Sequence, residues 1–283
     1  LYAADSGNGM RVFDVASVAN KGFGQRIITA PVSPLGQDTR IGSKDATCVA
    51  LPTNQPIHPD RNQGDLMRVT NEEPPFHPIY NYALITDSKE GLILTDVNTL
   101  SDGEPRNNYL RRALTWNPDG LLNGARHITV GGHIVYVIAD RGLVILDLDD
   151  PLKPQLASVV PLDDGRASAL QFRYLFVTDR SGLRVIEITD AKKPRLVQNN
   201  TVALTDAQRI YVARTYAYVA AGKQGLAIVD VERPEKMKLY QLFDAEGEMR
   251  DVRDVVVATT NASLFAYVAN GAARLAVLQL TSP

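Results

Sequence analysis

Short runs of apolar and aromatic residues alternate along the chain with turns rich in glycine, aspartate and asparagine. One pattern occurs six times: an apolar run, a short polar turn and a second apolar run that usually ends in an acidic residue. The copies are LYAADSGNGMRVFDV at 1–15, YALITDSKEGLILTDV at 82–97, IVYVIADRGLVILDL at 134–148, YLFVTDRSGLRVIEI at 174–188, YAYVAAGKQGLAIVDV at 216–231 and FAYVANGAARLAVLQL at 265–280. Because β-branched and aromatic residues favour strands, each copy predicts a hairpin of two strands.

A further apolar run precedes most copies, and another follows most of them after a proline-containing connection. The preceding runs are ATCVAL at 46–51, ARHITV at 125–130, ASALQF at 167–172, AQRIYV at 207–212 and VRDVVV at 252–257. The following runs are QRIITA at 25–30, YLRRAL at 109–114, QLASVV at 155–160, RLVQNN at 195–200 and LYQLFD at 239–244. Four strands per repeat, at a period of about 40–50 residues, are typical of a propeller blade.

The repeats therefore predict an all-β fold, a single β-propeller domain over residues 1–283 with six blades of mostly four antiparallel strands. The sixth copy has Arg274 in place of the turn glycine and Gln279 in place of the final acid, as expected of a terminal repeat. The alternative, if the chain is a fragment, is a ring with a seventh blade outside this sequence.

The second strands of the hairpins read MRVFD, LILTD, LVILD, LRVIE, LAIVD and LAVLQ. With the preceding YAYVA-type strands, they resemble the LVIVD repeat, a β-propeller repeat of prokaryotic cell-surface and secreted proteins. The resemblance implies an extracytoplasmic location: periplasmic, cell-surface or secreted. It also implies association with, or fusion to, a multi-haem cytochrome or an extracellular filament. It supplies no catalytic motif.

Charge and composition narrow the classes of partner. The chain has 30 Lys and Arg and 32 Asp and Glu, a net charge of −2, so no positive field favours nucleic acid. The longest apolar stretches, such as residues 134–139, are too short to span a membrane. The single cysteine, Cys48, excludes an internal disulfide and every CxxC motif.

Two insertions, at about 52–80 and 98–124, interrupt the period around the second blade. Long loops in compact domains commonly carry binding functions, and Trp, Tyr and Arg dominate interface energetics. We therefore expect these loops to contact a partner protein or another segment of a larger polypeptide; the alternative is that they pack on the outside of the blade. The candidate partner-binding residues are His58, His77, Tyr109, Arg111, Arg112 and Trp116.

A second candidate site is the mouth of a central channel, which the first strand of each blade lines in propellers. The residues at equivalent positions of these strands are Thr47, Arg126, Ser168, Gln208 and Arg253. The arginines could hold an anion through bidentate hydrogen bonds. The favoured alternative is that they pair with acids such as Asp206, Asp251 and Asp254.

No sequence motif indicates catalysis. The chain has no GxSxG, GxxxxGK[ST] or helix-opening GxGxxG motif, and no HxH or HExxH spacing for a metal. We therefore predict a non-catalytic interaction or scaffold module without a cofactor or metal. The alternative is a propeller enzyme or small-anion binder with its site in the channel, because residues from different blades can form a site without a linear motif.

Overall fold

The computed structural model describes residues 1–14, 28–29, 40–52, 77–100, 109–259, 263–271 and 274–281. Antiparallel sheets of three to five strands form a six-bladed β-propeller, which confirms the predicted all-β class. The described chain divides into two compact units, Leu1–Ala157 and Ser158–Pro283. That the whole chain is one domain stays a prediction.

The first unit contains the first three sheets, each built around a predicted hairpin. The first sheet comprises β1 (Tyr2–Ala4), β2 (Met10–Asp14), β3 (Ile28–Thr29) and β4 (Arg40–Ile41), with β3 and β4 both paired to β2. The second has the order β5 (Ala46–Ala50), β6 (Tyr82–Asp87), β7 (Gly91–Asp96) and β8 (Arg111–Trp116). The third has the order β9 (His127–Gly131), β10 (Ile134–Ala139), β11 (Gly142–Asp147) and β12 (Gln155–Val160), and the boundary between the units falls within β12.

The second unit contains the remaining three sheets. The fourth comprises β13 (Ala167–Gln171), β14 (Tyr174–Asp179), β15 (Gly182–Glu187), β16 (Arg195–Leu196) and β17 (Val202–Ala203), with β16 and β17 both paired to β15. The fifth has the order β18 (Ile210–Ala213), β19 (Tyr216–Ala220), β20 (Leu226–Asp230) and β21 (Lys238–Phe243). The sixth has three described strands, in the order β22 (Val252–Thr259), β23 (Leu264–Asn270) and β24 (Arg274–Gln279).

The helical content of the described residues is limited to short connections. The 3-10 helices are Pro78–Asn81, Asn98–Leu100, Pro118–Gly120 and Pro234–Lys236. No helix in the described part of the chain has both the length and the apolar character needed to cross a membrane.

The hairpin strands form the core because most are covered on both faces. In β10, five consecutive residues from Val135 to Ala139 are buried, and every residue of β14 is buried. In the first unit, Leu92 and Leu94 of the second sheet pack in one cluster with Val135 and Val137 of the third. In the second unit, a comparable cluster joins the fourth and fifth sheets. Runs of apolar residues without alternation are therefore explained by burial on both faces.

The two predicted insertions are only partly described. Of the first, residues 53–76, which include His58, lie outside the described residues, and His77 caps the helix Pro78–Asn81. Of the second, residues 101–108 lie outside them, and residues 109–124 include β8 and the helix Pro118–Gly120. The described part of the second insertion thus supplies the fourth strand of the second sheet.

Candidate functional site

The predicted partner-binding residues on and beside β8 differ in how far they are available for a partner. Tyr109 is exposed, and the exposed Arg111 places its guanidinium 3.3 Å from an Asp96 carboxylate oxygen. The Arg112 guanidinium donates to Glu90 at 2.9 Å, to Thr115 and to the carbonyl of Gly42. Tyr109 and Arg111 therefore present the more accessible side chains.

Trp116 anchors β8 to its sheet. It lies opposite Leu92 in the register of β7 and β8, and it packs against the apolar cluster shared by the second and third sheets. Because its ring contacts this cluster, part of its surface belongs to the core.

The structure brings His77 close to two residues that the sequence analysis did not associate with it. The buried His77 ring stacks on the His133 ring, with centroids 5.8 Å apart. His77 Nε2 is 3.5 Å from an Asp149 carboxylate oxygen, and His133 Nε2 is 3.8 Å from Asp147. His133 and Asp149 flank the third hairpin, whereas His77 comes 56 residues before His133, so no local spacing motif could reveal the group.

Two imidazoles and a carboxylate are donors that bind zinc, and one potential ligand atom from each of His77, His133 and Asp149 lies within 4.8 Å of the others. The hydrogen bonding of His77 opposes this use. Its Nδ1 accepts the backbone N–H of Ile79 at 3.2 Å, so the neutral ring carries its proton on Nε2, the atom that faces Asp149. A metal needs a lone pair at that atom. The arrangement therefore favours a structural His–Asp contact.

In the first unit, the residues predicted at the channel mouth make internal contacts. The Thr47 hydroxyl lies 2.8 Å from the Ala125 carbonyl and 3.0 Å from the Thr86 hydroxyl. Arg126 donates from Nε to the Gly124 carbonyl at 3.0 Å and from Nη2 to the Asp140 carboxylate.

In the second unit, the corresponding residues are also engaged. Ser168 is buried. The Gln208 amide donates to Asp206 at 2.6 Å. Arg253 makes a bidentate contact with Asp251 at 3.0 and 3.1 Å, which raises the pKa of its guanidinium. Arg253 thus makes one of the pairings expected as the alternative to anion binding.

Arg166 was not singled out by the sequence analysis, yet it connects two acidic residues. Its guanidinium donates to Asp164 at 3.0 and 3.1 Å and to Asp206 at 2.7 Å. Burial lowers the pKa of Arg166, but the two carboxylates outweigh this effect and the net shift is upward. The arginine is therefore held as a cation between its partners. In the sequence, Arg166 is two residues before the channel-mouth candidate Ser168 and immediately before Ala167, which begins β13. An arginine at this position could therefore have been included among the candidates.

The second unit has apolar side chains on its outer strands. Leu239, Tyr240 and Leu242 of β21 are exposed, as are Leu275 and Val277 of β24. A groove of about 320 Å³ lies between these two sheets. Its lining residues are Leu226, Ile228, Gln241, Phe243, Val277, Leu278, Gln279 and Leu280. We call this combination of exposed β21 and β24 residues and groove the outer-strand surface.

Comparison with known families supports the repeat assignment. The LVIVD repeat model matches residues 124–160 and 205–244, which contain the third and fifth hairpins. No protein with a curated function matches the chain in sequence.

Solved structures share the fold at low sequence identity. A Bacteroides uniformis protein, named provisionally as a 6-phosphogluconolactonase, is 11% identical with a TM-score of 0.64, over 97% of this chain and 75% of its own. A protein of unknown function from Desulfotomaculum acetoxidans is 11% identical with a TM-score of 0.55, over 84% of this chain and 71% of its own. The computationally designed protein Ika8 is 10% identical with a TM-score of 0.54, over 99% and 67%. At these identities the likeness concerns the fold alone: the chain is a β-propeller, and two of its stretches match the LVIVD repeat model.

Proposed function

We propose that the chain is a non-catalytic interaction module of a secreted or cell-surface protein. The observation that carries the proposal is the outer-strand surface of the second unit. Large apolar side chains exposed on strands beside a groove are typical of binding surfaces. The proposed partner is a protein, or another segment of a larger polypeptide.

Strand β21 has the chemistry of a contact surface. Tyr240 is 65% exposed, and its ring meets the Tyr216 ring edge-on at a centroid distance of 5.5 Å. An aromatic side chain that is already held in one orientation loses little conformational entropy on binding, which favours affinity. Leu239 and Leu242 pair with Val229 and Ala227 across a β-bulge, so they share one face of the strand, opposite to the groove-lining Gln241 and Phe243, and add a second exposed apolar area.

Tyr109 and Arg111 offer a second contact area in the first unit. Both are exposed, and the Arg111–Asp96 ion pair is an accessible surface contact that contributes little stability by itself. An acidic group of a partner can therefore compete for Arg111 at small cost. We include these two residues in the proposed partner-binding loops, together with the other residues that the sequence suggests there, His58, His77, Arg112 and Trp116.

The contacts of the candidate channel-mouth arginines support the interaction role over anion binding. Arg126 and Arg253 each pair with a carboxylate of their own unit. An anion would have to displace these partners. Both ion pairs are accessible, so an incoming anion would compete with these carboxylates for the guanidinium groups.

The likeness to LVIVD repeats supports a finer version of the proposal. In this version the module lies outside the cytoplasm and associates with, or is fused to, a multi-haem cytochrome or an extracellular filament. A cytochrome partner would bring the haem, and this chain would supply the docking surface.

The experiment that tests the proposal is copurification from the native host after chemical cross-linking. We expect a complex of fixed stoichiometry that the triple variant Leu239→Ser, Tyr240→Ser, Leu242→Ser loses. The control Phe172→Ser removes an exposed aromatic residue outside this surface and should retain the complex. Haem absorbance of the purified complex tests the cytochrome version. Recovery of the wild-type chain as an uncross-linked monomer, without a fused segment, would overturn the proposal.

A further inference from the structure

Phe172 occupies a turn position that suits glycine better than an aromatic residue. It lies in the two-residue turn between β13 and β14, with a φ of 53° and 92% of its surface exposed. Gly132 takes the same place in the third sheet, with a φ of 64°. A bulky side chain at positive φ costs free energy, and such strain is found mainly at functional positions. Because the ring is almost fully exposed, packing within the chain does not offset this cost.

The turn of Phe172 lies at one end of the fourth and fifth sheets, beside three other connections. In these sheets β14 begins opposite the last residue of β15, and β19 begins opposite the last residue of β20. The turn before the one strand and the connection after the other therefore share an end. The Gln171 amide donates to the Arg214 carbonyl at 2.6 Å, which joins the ends of the two sheets. The four connections are 172–173, 188–194, 214–215 and 231–237.

This end carries an excess of positive charge in a chain whose net charge is −2. The four connections contain six Lys and Arg and three Asp and Glu. The six basic residues are all exposed: Arg173, Lys192, Lys193, Arg214, Arg233 and Lys236. Arg173 approaches Glu235 at 3.8 Å, and among the described residues, which run without a gap from 109 to 259, no carboxylate pairs with the other five. We call these four connections the basic end.

The chemistry of the basic end matches the surface of a membrane that contains anionic lipids. Each Lys or Arg close to such a surface strengthens binding by about fivefold. An exposed aromatic ring enters the boundary between headgroups and acyl chains, where its apolar surface leaves water. A single-stranded nucleic acid would instead use several aromatic side chains to stack successive bases, and the four connections contain Phe172 alone. A protein partner would need a pocket shaped for one ring, which a bilayer does not.

We propose that the basic end binds the surface of a membrane with anionic lipids. The cations contact the headgroups, and Phe172 inserts its ring beside them at the boundary with the acyl chains. The strained turn is retained because it exposes the ring among these cations. The inference goes beyond the proposed function, since the basic end shares no residue with the outer-strand surface.

The first test is cosedimentation of the whole chain with lipid vesicles. We expect binding to vesicles of phosphatidylcholine mixed with phosphatidylglycerol to be about tenfold tighter, or more, than binding to phosphatidylcholine alone. Added salt should weaken it, because the headgroup contacts are screened. Equal binding to both kinds of vesicle, or to neither, would overturn the inference.

Two substitutions of Phe172 separate insertion of the ring from folding. Asparagine adopts a left-handed backbone more readily, so Phe172→Asn keeps the fold. It should nevertheless weaken vesicle binding by about tenfold, because the apolar surface of the ring is lost. Phe172→Trp should retain binding, since tryptophan favours the membrane interface. Unchanged affinity of Phe172→Asn would contradict insertion.

Two double charge reversals test the placement of the cations. Lys192→Glu with Lys193→Glu should weaken vesicle binding by about tenfold or more. The matched control is Arg180→Glu with Lys223→Glu, because both residues are exposed in hairpin turns at the opposite end of the same sheets. This control should bind as the wild type does. Equal losses for the two double variants would indicate adsorption through general charge and would overturn the inference.

Fluorescence reports where the ring lies. The added tryptophan of Phe172→Trp should shift its emission to shorter wavelength on anionic vesicles and be quenched by brominated acyl chains. The added tryptophan of Arg180→Trp, at the opposite end, should show neither effect. If polyglutamate binds with the same dependence on Phe172 and the two lysines while vesicles do not, the basic end binds an acidic protein and the inference fails. The outer-strand complex tests the proposed function independently of all these results.

Discussion

Asp87, at the turn of the second hairpin, is the best position for a quantitative test of how the repeats are stabilised. Its buried carboxylate accepts the backbone N–H groups of Lys89 and Glu90, each at 2.8 Å, on one oxygen. The other oxygen accepts the N–H of Asp45 at 2.6 Å, just before β5. Asp87 therefore connects the hairpin turn to the neighbouring strand of the same sheet.

Asp87→Asn keeps the shape but removes one acceptor. The amide oxygen can serve either the turn or Asp45, and the NH2 group then faces a backbone donor. Leaving a buried donor unsatisfied costs about 1–3 kcal/mol, and loss of charge weakens the bonds that remain. We expect the free energy of unfolding to fall by about 2–4 kcal/mol. Asp140→Asn is the control, because Asp140 holds the same place in the third hairpin but is exposed, and we expect it to lose less than about 1 kcal/mol.

The pH dependence gives the sign of the effect. Burial raises the pKa of Asp87, but its backbone hydrogen bonds outweigh burial and leave the pKa below its ordinary value. The contribution is therefore present above the unfolded-state pKa of about 3.9 and is lost as the pH falls through the lower folded-state value. Urea unfolding should show the gap between wild type and Asp87→Asn narrowing below about pH 4. A constant gap, or equal losses for Asp87→Asn and Asp140→Asn, would refute the reasoning.

Three further predictions concern the backbone and a buried phenol. Phe172 is 92% exposed and has a φ of 53°, in the turn position that Gly132 takes in the third sheet. Asparagine adopts this left-handed conformation more readily than phenylalanine. Phe172→Asn should therefore raise the free energy of unfolding, measured by urea titration, by about 0.5–1 kcal/mol. Gly182 has a φ of 124°, and an added Cβ would lie 2.1 Å from the Val202 carbonyl oxygen. Gly182→Ala should therefore lower the melting temperature markedly. The control Gly42→Ala should not, because there is open space around the position of its Cβ. Burial raises the pKa of Tyr136 to about 12, so the unfolded chain ionises first and stability should fall above about pH 10. Ultraviolet titration of wild type against Tyr136→Phe measures this ionisation.

The hairpins could be predicted because their signal is local. Unbroken apolar runs on both sides of a short polar turn match β6 with β7 and β10 with β11 closely. The acids that end the second strands are also explained by local contacts. Asp96 and Asp147 each accept the N–H two residues ahead at 3.0 Å, which fixes the outer turn.

The outer strands were predicted less accurately because their patterning is weaker. The run at 195–200 forms a strand only at Arg195–Leu196, since Asn199 takes a positive φ of 56° and turns the chain before β17. The fourth strand of the second sheet lies at Arg111–Trp116, two residues beyond the predicted run. Exposed strands carry little apolar alternation, so turn-forming asparagines and cross-strand pairing decide their limits.

The features that carry function depend on what lies beside a strand, which periodicity does not encode. LAVLQ in β24 reads like the second strands of the other hairpins, yet β24 has no outer partner among the described residues. His77 shows the same limitation, because its contact with Asp149 depends on how separate loops pack. In a repeat protein, the departures from the repeat are where binding should be sought, since the regular positions are already satisfied by their neighbours.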